Sequence, residues 1–227
     1  MIKKERIEEI DGIKYARIPV KTHKIAFGED LAALLKKYVN SKLQPGDWVA
    51  ISEKVVSVCQ KSVRHISTVR VSWLARLLVK GVKKYPNDIG YSRPEKMQVA
   101  VERAGTGRII LATILGSIGK LFGVRGIFWI VAGHRISEID GFNPDAMYPY
   151  TEYVMLPPPE PEKTVQEREE KLGYPVAMVD GNNVEVNVIS QSAGVPLGRK
   201  MIRRIFHDNP QGQGRELTPF LIIRKIS

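Results

Sequence analysis

The sequence predicts an α+β fold, a mixed α/β arrangement of mixed sheets with flanking helices. Strand-like and helix-like periodicities interleave along the chain, and some strand-like segments follow one another across turns without a helix between them. The composition completes the prediction. At 227 residues, 43% hydrophobic and 26% charged, it is ordinary globular material with enough apolar content for one substantial core. A single domain over 1–227, or two packed lobes, follows; no internal repeat or low-complexity linker argues for independent modules.

The elements are expected in this order. "YARIPVKTHKI" alternates as a strand, and "GEDLAALLKKYVNSKL" places Leu31, Leu34, Leu35 and Val39 at helical spacing. "QPGD" is a turn signal, and the β-branched run "WVAISEKVVSVCQ" reads as one strand. Trp73, Leu74, Leu77, Leu78 and Val82 recur as a helix, and Ser92 before Pro94 and Glu95 announces another over "EKMQVAVERAG". The most apolar region, Arg108 to Gly133, is interrupted by Lys120 and Arg125. Its longest uncharged run, Ile109 to Gly119, is too short for a bilayer, so it is expected to be a buried core segment. "FWIVAGHRISEIDGFN" reads as two strands and a turn. "YVMLPPPEPEKTVQEREEKLG" reads as a strand, a proline-rich turn and a helix stopped at Gly173. "PVAMVD" and "VEVNVIS" are strands, "GVPLGRKMIRRIFHD" a basic helix, "NPQGQGRELTP" a loop and "FLIIRKI" a final strand.

The formal charge of +11 attracts anions, without separating nucleic acid from nucleotide phosphate or a phosphorylated small molecule; plain surface charge explains it equally. The lone Cys59 forms no internal disulfide and suits a reducing cytosol, as a packed small residue more than a nucleophile. "MIKKERIEEID" has no apolar stretch behind it, so a signal peptide is not expected and a cytoplasmic location is.

Several motifs fail on inspection. "GSIGKL" lacks both ends of a phosphate loop, with Ile114 for the first glycine and Leu121 for the final hydroxyl residue. "GTGRII" and "GQGREL" lack the third glycine of a dinucleotide fingerprint. His23, His65, His134 and His207 have no zinc-ligand spacing. The basic residues Arg199, Lys200, Arg203 and Arg204 fit a phosphate contact or a solvated helix face. What remains is a pair of aspartates, Asp140 and Asp180, each ending an apolar run before a glycine. Carboxylates at a sheet rim can share a magnesium or manganese ion and leave positions for phosphates. Asp-Gly is equally a common turn dipeptide.

Five blocks, "IPVKTHKIAFGEDLAALL", "LQPGDWVAISEKVVS", "IFWIVAGHRISEID", "YVMLPPPEPEKTVQE" and "YPVAMVD", resemble in order and spacing the coenzyme F-420 gamma-glutamyl ligase family. The likeness runs from Ile18 to Asp180 and is looser afterwards. It implies two interlocked lobes and a homodimer. It also implies a GTP- and divalent-metal-dependent reaction in which a terminal carboxylate becomes an acyl phosphate and is attacked by the amino group of L-glutamate. By the same resemblance Asp140 and Asp180 hold Mg2+ or Mn2+. Lys54 neutralises phosphate with Ser52 and Ser57 as donors, Asn182 or Asn183 orients a phosphate or metal-bound water, and Lys21, Thr22 and His23 approach nucleotide or acceptor. Ordinary strand polarity is the plain alternative for the 52–57 group.

This chain also departs from the family. "VCQKS" stands where an acidic, glycine-containing stretch is usual, and "GNNVEVNVIS" brings no arginine between Asp180 and Arg199. The tail, with Asn209, Gln211, Gln213 and Thr218 in one loop, is closer to divergent relatives, so a different carboxylate acceptor is open. A non-catalytic homologue that binds a nucleotide or another anion is the rival reading. A nucleic-acid module ranks last, because no stacking platform accompanies the charge.

Overall fold

The computed structural model describes residues 7–82, 91–124, 126–133, 136, 139–142, 147–181, 186–212 and 214–226. Its α+β fold divides into two compact units. One is formed by Met1–Ser62 with Pro158–Ser227, the other by the intervening Val63–Pro157.

The first unit is built on a six-stranded mixed sheet. Strands β1 (Ile7–Ile10), β2 (Ile13–Val20), β3 (Trp48–Ser52), β7 (Val176–Gly181), β8 (Val186–Gln191) and β9 (Phe220–Lys225) lie in the order β1-β2-β9-β3-β7-β8. The β1–β2 hairpin, not expected from the charged opening residues, turns on Asp11 and Gly12, both at positive φ (53° and 78°). Asp-Gly suits a two-residue turn that needs positive φ twice. β9 lies antiparallel between β2 and β3, while β3 and β7 run parallel.

Val49, Ala50 and Ile51 are all fully buried, as a strand covered on both faces requires. On one face Trp48, Ala50, Ala177 and Leu221 share a core with Ile202, Ile205 and Phe206, the first two from helix α8 (Arg199–Ile205). Helices α2 (Glu53–Cys59) and α7 (Pro161–Leu172) also pack on the sheet, and α1 (Leu31–Tyr38) packs on α7. Asp30 caps α1 through Ala32 N at 2.8 Å. Gly173, at φ 76°, ends α7 where the sequence places its stop.

One correction falls in this unit. The run from Trp48 to Gln60 is not a single strand: β3 stops at Ser52 and α2 begins at Glu53 with no connecting loop. The β-branched content suits either state. Ser52 holds the extended N-cap conformation, Glu53 occupies the acidic first turn, and Val56 and Val58 turn inward.

The second unit holds a three-stranded antiparallel sheet in the order β4-β6-β5 (β4 Val63–His65, β5 Asp140–Gly141, β6 Tyr153–Met155). It also holds α3 (Trp73–Leu78), α4 (Pro94–Ala104), α5 (Thr106–Leu121) and α6 (Ile127–Ala132). Met97, Ala100, Ile109, Ala112, Phe142 and Val154 belong to its core.

Two expectations are overturned here. Residues 127–132 form a helix, α6, instead of a strand. α5 offers them a glycine face: a Cβ on Gly119 would stand 2.3 Å from Ile127 Cδ1, and one on Gly116 would stand 3.1 Å from Phe128 Cβ. Close helix packing overrides the β propensity of Ile, Phe and Val. The apolar region is also not simply a buried core segment. α5 buries Ile109, Ala112 and Gly119 but exposes Ile110, Leu111, Ile114, Leu115 and Ile118. Among the described residues no helix is long and apolar enough to cross a membrane.

Candidate active site at one rim of the sheet

Strand register gathers residues that are far apart in sequence. Phe220, the first residue of β9, is paired with Val20 on one side and Ile51 on the other, while Ile51 and Ser52 pair with Met178 and Val179. β2, β3 and β7 therefore end at one rim. At this rim stand Lys21 and Thr22 just after β2, Ser52 as the last residue of β3 with Lys54 and Ser57 following on α2, and Asp180 as the penultimate residue of β7. Six residues proposed from sequence thus share the carboxyl ends of co-directional strands, where open α/β sheets bind ligands.

Asp180 is half-buried and is not a turn corner. It remains in the ladder opposite Asn187, with Gly181 opposite Val186. Lys21 is exposed, Lys54 half-buried and Ser57 buried. The Thr22 hydroxyl donates to the backbone oxygen of His23 at 2.8 Å, and its amide donates to Leu217 O at 2.8 Å. His23 is held between Tyr38 Oη (Nδ1, 2.6 Å) and Glu29 (Nε2, 3.0 Å), which fixes the loop after β2. Ala26 N and Glu29 form a further contact there. That amide holds the Glu29 carboxyl below the usual range against the opposing effect of burial, with His23 adding to the lowering.

The amide-rich loop expected after α8 forms the outer wall of the rim. Buried Asn209, at φ 49°, donates to Gly181 O (3.4 Å) and Gly212 O (3.2 Å), and Gln211 donates to Pro219 O at 2.9 Å. Thr218 donates to the Gln211 backbone oxygen, and Ser52 N donates to Pro219 O at 2.9 Å. These amides and hydroxyls brace the backbone around Asp180 and Ser52. Gln213, Asn182 and Asn183 lie outside the described residues.

Sequence reasoning passed over Glu53. It is a buried carboxylate, 4% exposed, between Ser52 and Lys54. A charged residue inside the apolar run "WVAISEKVV" was the available signal, since buried carboxylates are rare without a task or a partner.

Asp140 belongs to the second unit. It does not end a long strand: it opens the two-residue β5, opposite Met155, and its Oδ1 accepts from Gly141 N at 2.8 Å. Gly141, at φ 140°, has Tyr153 O and Val154 Cα 2.5 Å from its absent Cβ, so no side chain fits there. Arg93 donates to Phe142 O at 2.7 Å, and Tyr91 donates to Ile136 O. Burial, and then the Asp140 charge, push the Tyr91 hydroxyl well above its usual range, so it stays a proton donor.

Among the described residues no group of three or more His, Cys, Asp or Glu side chains could hold a metal ion. A zinc-type cage is therefore not present in them. Magnesium needs less, because one or two carboxylates suffice when waters and substrate phosphates complete the shell. Asp180, with Glu53 on the same rim, fits that donor chemistry. Cys59 is half-buried, and burial together with Glu29 and Asp30 pushes its thiol up to about 12, which suits packing and not attack. A cavity of about 430 Å3 between α1 and α7 contains Asp30, Lys36, Asn40, Arg168 and Lys171 but none of the rim residues.

Polar and acidic residues thus collect at the carboxyl rim of a mixed sheet, where open α/β sheets bind ligands. The family described as F420-0:Gamma-glutamyl ligase matches residues 19–189. The chain belongs to that family, which supports a biosynthetic ligase role. No curated protein matches the chain.

Proposed function

We propose that the chain is an amide-forming ligase of the coenzyme F-420 gamma-glutamyl type, acting at the rim where β2, β3 and β7 end, on F-420 precursor or another carboxylate acceptor. The shared register of Val20, Ile51 and Met178 carries this reading, because it puts Thr22, Ser52, Lys54 and Asp180 on one edge. The co-substrate is GTP and the setting the cytoplasm.

In the proposed reaction an acceptor carboxylate oxygen attacks the γ-phosphorus, and the bridging oxygen leaves with GDP. The amino group of L-glutamate then attacks the acyl carbon. Phosphate leaves with the electron pair of the broken C–O bond, and the nitrogen loses a proton as the amide forms. Two anions must meet, so alignment and charge neutralisation dominate the barrier. Lys54 supplies positive charge toward phosphate, Ser52 and Ser57 supply hydroxyl donors, and Lys21 with Thr22 borders the nucleotide. Asn182 or Asn183, next along the chain from Gly181, is proposed to orient a phosphate or a metal-bound water. A divalent magnesium or manganese ion, when bound, supplies further neutralisation of the triphosphate. Asp180 is a proposed ligand for it at this rim, and Asp140, within its own unit, is proposed separately as a carboxylate ligand for a divalent ion. The backbone beside Asp180 and Ser52 is braced by Asn209 on Gly181 O and by Gln211 on Pro219 O.

Equilibrium dialysis with Mn2+ and GTP tests the reading. Saturable, metal-dependent nucleotide binding is expected, with Asp180→Asn lowering it at least about tenfold, as loss of one charged ligand does. Unchanged binding in Asp180→Asn overturns the metal role. Nucleotide binding without phosphate release across carboxylate and amino-acid pairs replaces the ligase by a non-catalytic homologue.

A further inference from the structure

The cavity between α1 and α7 stands apart from the rim and its chemistry. Its volume of about 430 Å3 falls within the roughly 300–1,000 Å3 range of small-molecule pockets, and its lining belongs wholly to the first unit. The lining has two chemical parts. Ala32, Ala33 and Leu35 of α1 with Leu172 of α7 are apolar, and the short alanines leave room for a flat apolar body. Lys36, Arg168 and Lys171 are cationic and outnumber the acid Asp30 by two charges.

Arg168 is the group that points to a ligand. Its side chain is only 12% exposed, and a guanidinium so withdrawn from water needs close oxygen partners. Elsewhere in the same unit a carboxylate forked between two nitrogens meets that need. Arg17 holds Asp208 at 2.5 and 3.0 Å, and Arg224 holds Asp47 at 2.8 and 2.7 Å. Arg168 has no such fork among the described residues. Asp30 lies 3.9 Å away, is 69% exposed, and already accepts from Ala32 N. Glu167, at 3.1 Å, is the adjacent residue, half exposed, and meets one nitrogen alone. The buried Nε of Arg168 has no hydrogen-bond partner among the described residues.

We propose that this cavity binds a phosphate monoester with an apolar body. Arg168 forks the phosphate oxygens, Lys36 and Lys171 flank them, and the body lies on the alanines and leucines. Guanidinium matches phosphate in a two-pronged contact. A monoester carries about 1.5 to 2 negative charges at neutral pH, which balances the excess of the lining. A carboxylate leaves much of that excess uncompensated, and bare inorganic phosphate leaves the apolar lining uncovered. The site stands whether or not the rim is that of a ligase.

Isothermal titration of the full chain with phenyl phosphate, without nucleotide or divalent ion, tests it. One saturable event is expected, with a dissociation constant of about 1 mM or below. Phenol, benzoate and inorganic phosphate are each expected to bind at least about tenfold more weakly. Arg168→Gln should weaken phenyl phosphate at least about tenfold. Ala33→Trp, at an exposed position, fills the cavity without entering the core and should abolish binding, with an unchanged far-ultraviolet circular dichroism spectrum. Lys54→Ala, at the rim, should bind phenyl phosphate like wild type. Absence of saturable binding overturns the proposal, as does binding that survives Arg168→Gln and Ala33→Trp. Loss in Lys54→Ala overturns it in favour of the rim, and benzoate binding as tightly as phenyl phosphate overturns it in favour of a carboxylate.

Discussion

The two units hold similar runs of isoleucine, leucine and valine and finish them differently. In the first, β3 sits between β7 and β9, and Val49, Ala50 and Ile51 are sealed on both faces. In the second, α5 is also rich in isoleucine and leucine but buries only its inner side, leaving Ile114 half exposed. A strand's two faces are closed by layers of its own chain. A helix with a broad apolar surface needs neighbours on more than one side, and the described residues of the second unit supply them on one. Apolar composition therefore reports burial in the first unit and an unfinished surface in the second.

The largest test of this contrast removes a charge from beneath the sheet. Arg17, fully buried on β2, donates to Asp208 Oδ1 at 2.5 Å and Oδ2 at 3.0 Å and to Ile205 O at 2.9 Å. Asp208→Ala leaves the guanidinium without its bidentate partner and is expected to cost about 3–5 kcal/mol, read as a fall in urea midpoint. A loss below 1 kcal/mol would mean that Glu8, at 3.6 Å, and the remaining partners of Arg17 compensate the charge. Next comes a matched pair of truncations. Ile51→Ala in the sealed strand is expected to cost about 3 kcal/mol, whereas Ile114→Ala on the exposed face of α5 should cost about 0.5 kcal/mol or less. Equal losses would erase the distinction between the two regions.

A smaller effect comes from acid. Burial pushes the Glu102 carboxyl up, but hydrogen bonds from Gln98 and Arg64 outweigh it and hold the group below its ordinary value of 4.5. A depressed carboxylate contributes stability above its unfolded pKa and loses it as pH falls through the folded one. Amide protection factors in the second unit, corrected for the intrinsic pH dependence of exchange, should therefore fall below pH 4.5, and Glu102→Gln should flatten that dependence. A profile unchanged by the substitution would assign the acid sensitivity elsewhere.

Legibility in the sequence turned on local signals. β7, β9, α1 and α7 were readable because each has a local sign: an apolar run bounded by turn residues, the helical spacing of Leu31, Leu34, Leu35 and Val39, a stopping Gly173. The β3–α2 junction and α6 were not. Their β-branched residues suit both states, and the decision came from Ser52 as an N-cap and from the glycines of α5. The candidate rim was legible only in pieces. Asp180, Ser52 and Lys54 stood out through an ordered family likeness. Their shared edge depends on β9 entering between β2 and β3, a long-range pairing without a local signature. Glu53 was hidden by the mistaken strand reading, which made it one more alternating polar residue.

The position of β9 also bears on how the molecule is made. β2 and β3 emerge during synthesis long before the strand that separates them. Until it arrives, β3 has an open hydrogen-bonding edge beside a run of buried-type residues. The intervening 63–157 unit can complete its contacts first, since its segment is contiguous. Slow closure of the larger sheet, with an edge waiting for its partner, is a setting in which chains misassociate. Expression yield should thus respond more to substitutions in β9 than to equally buried ones in α4.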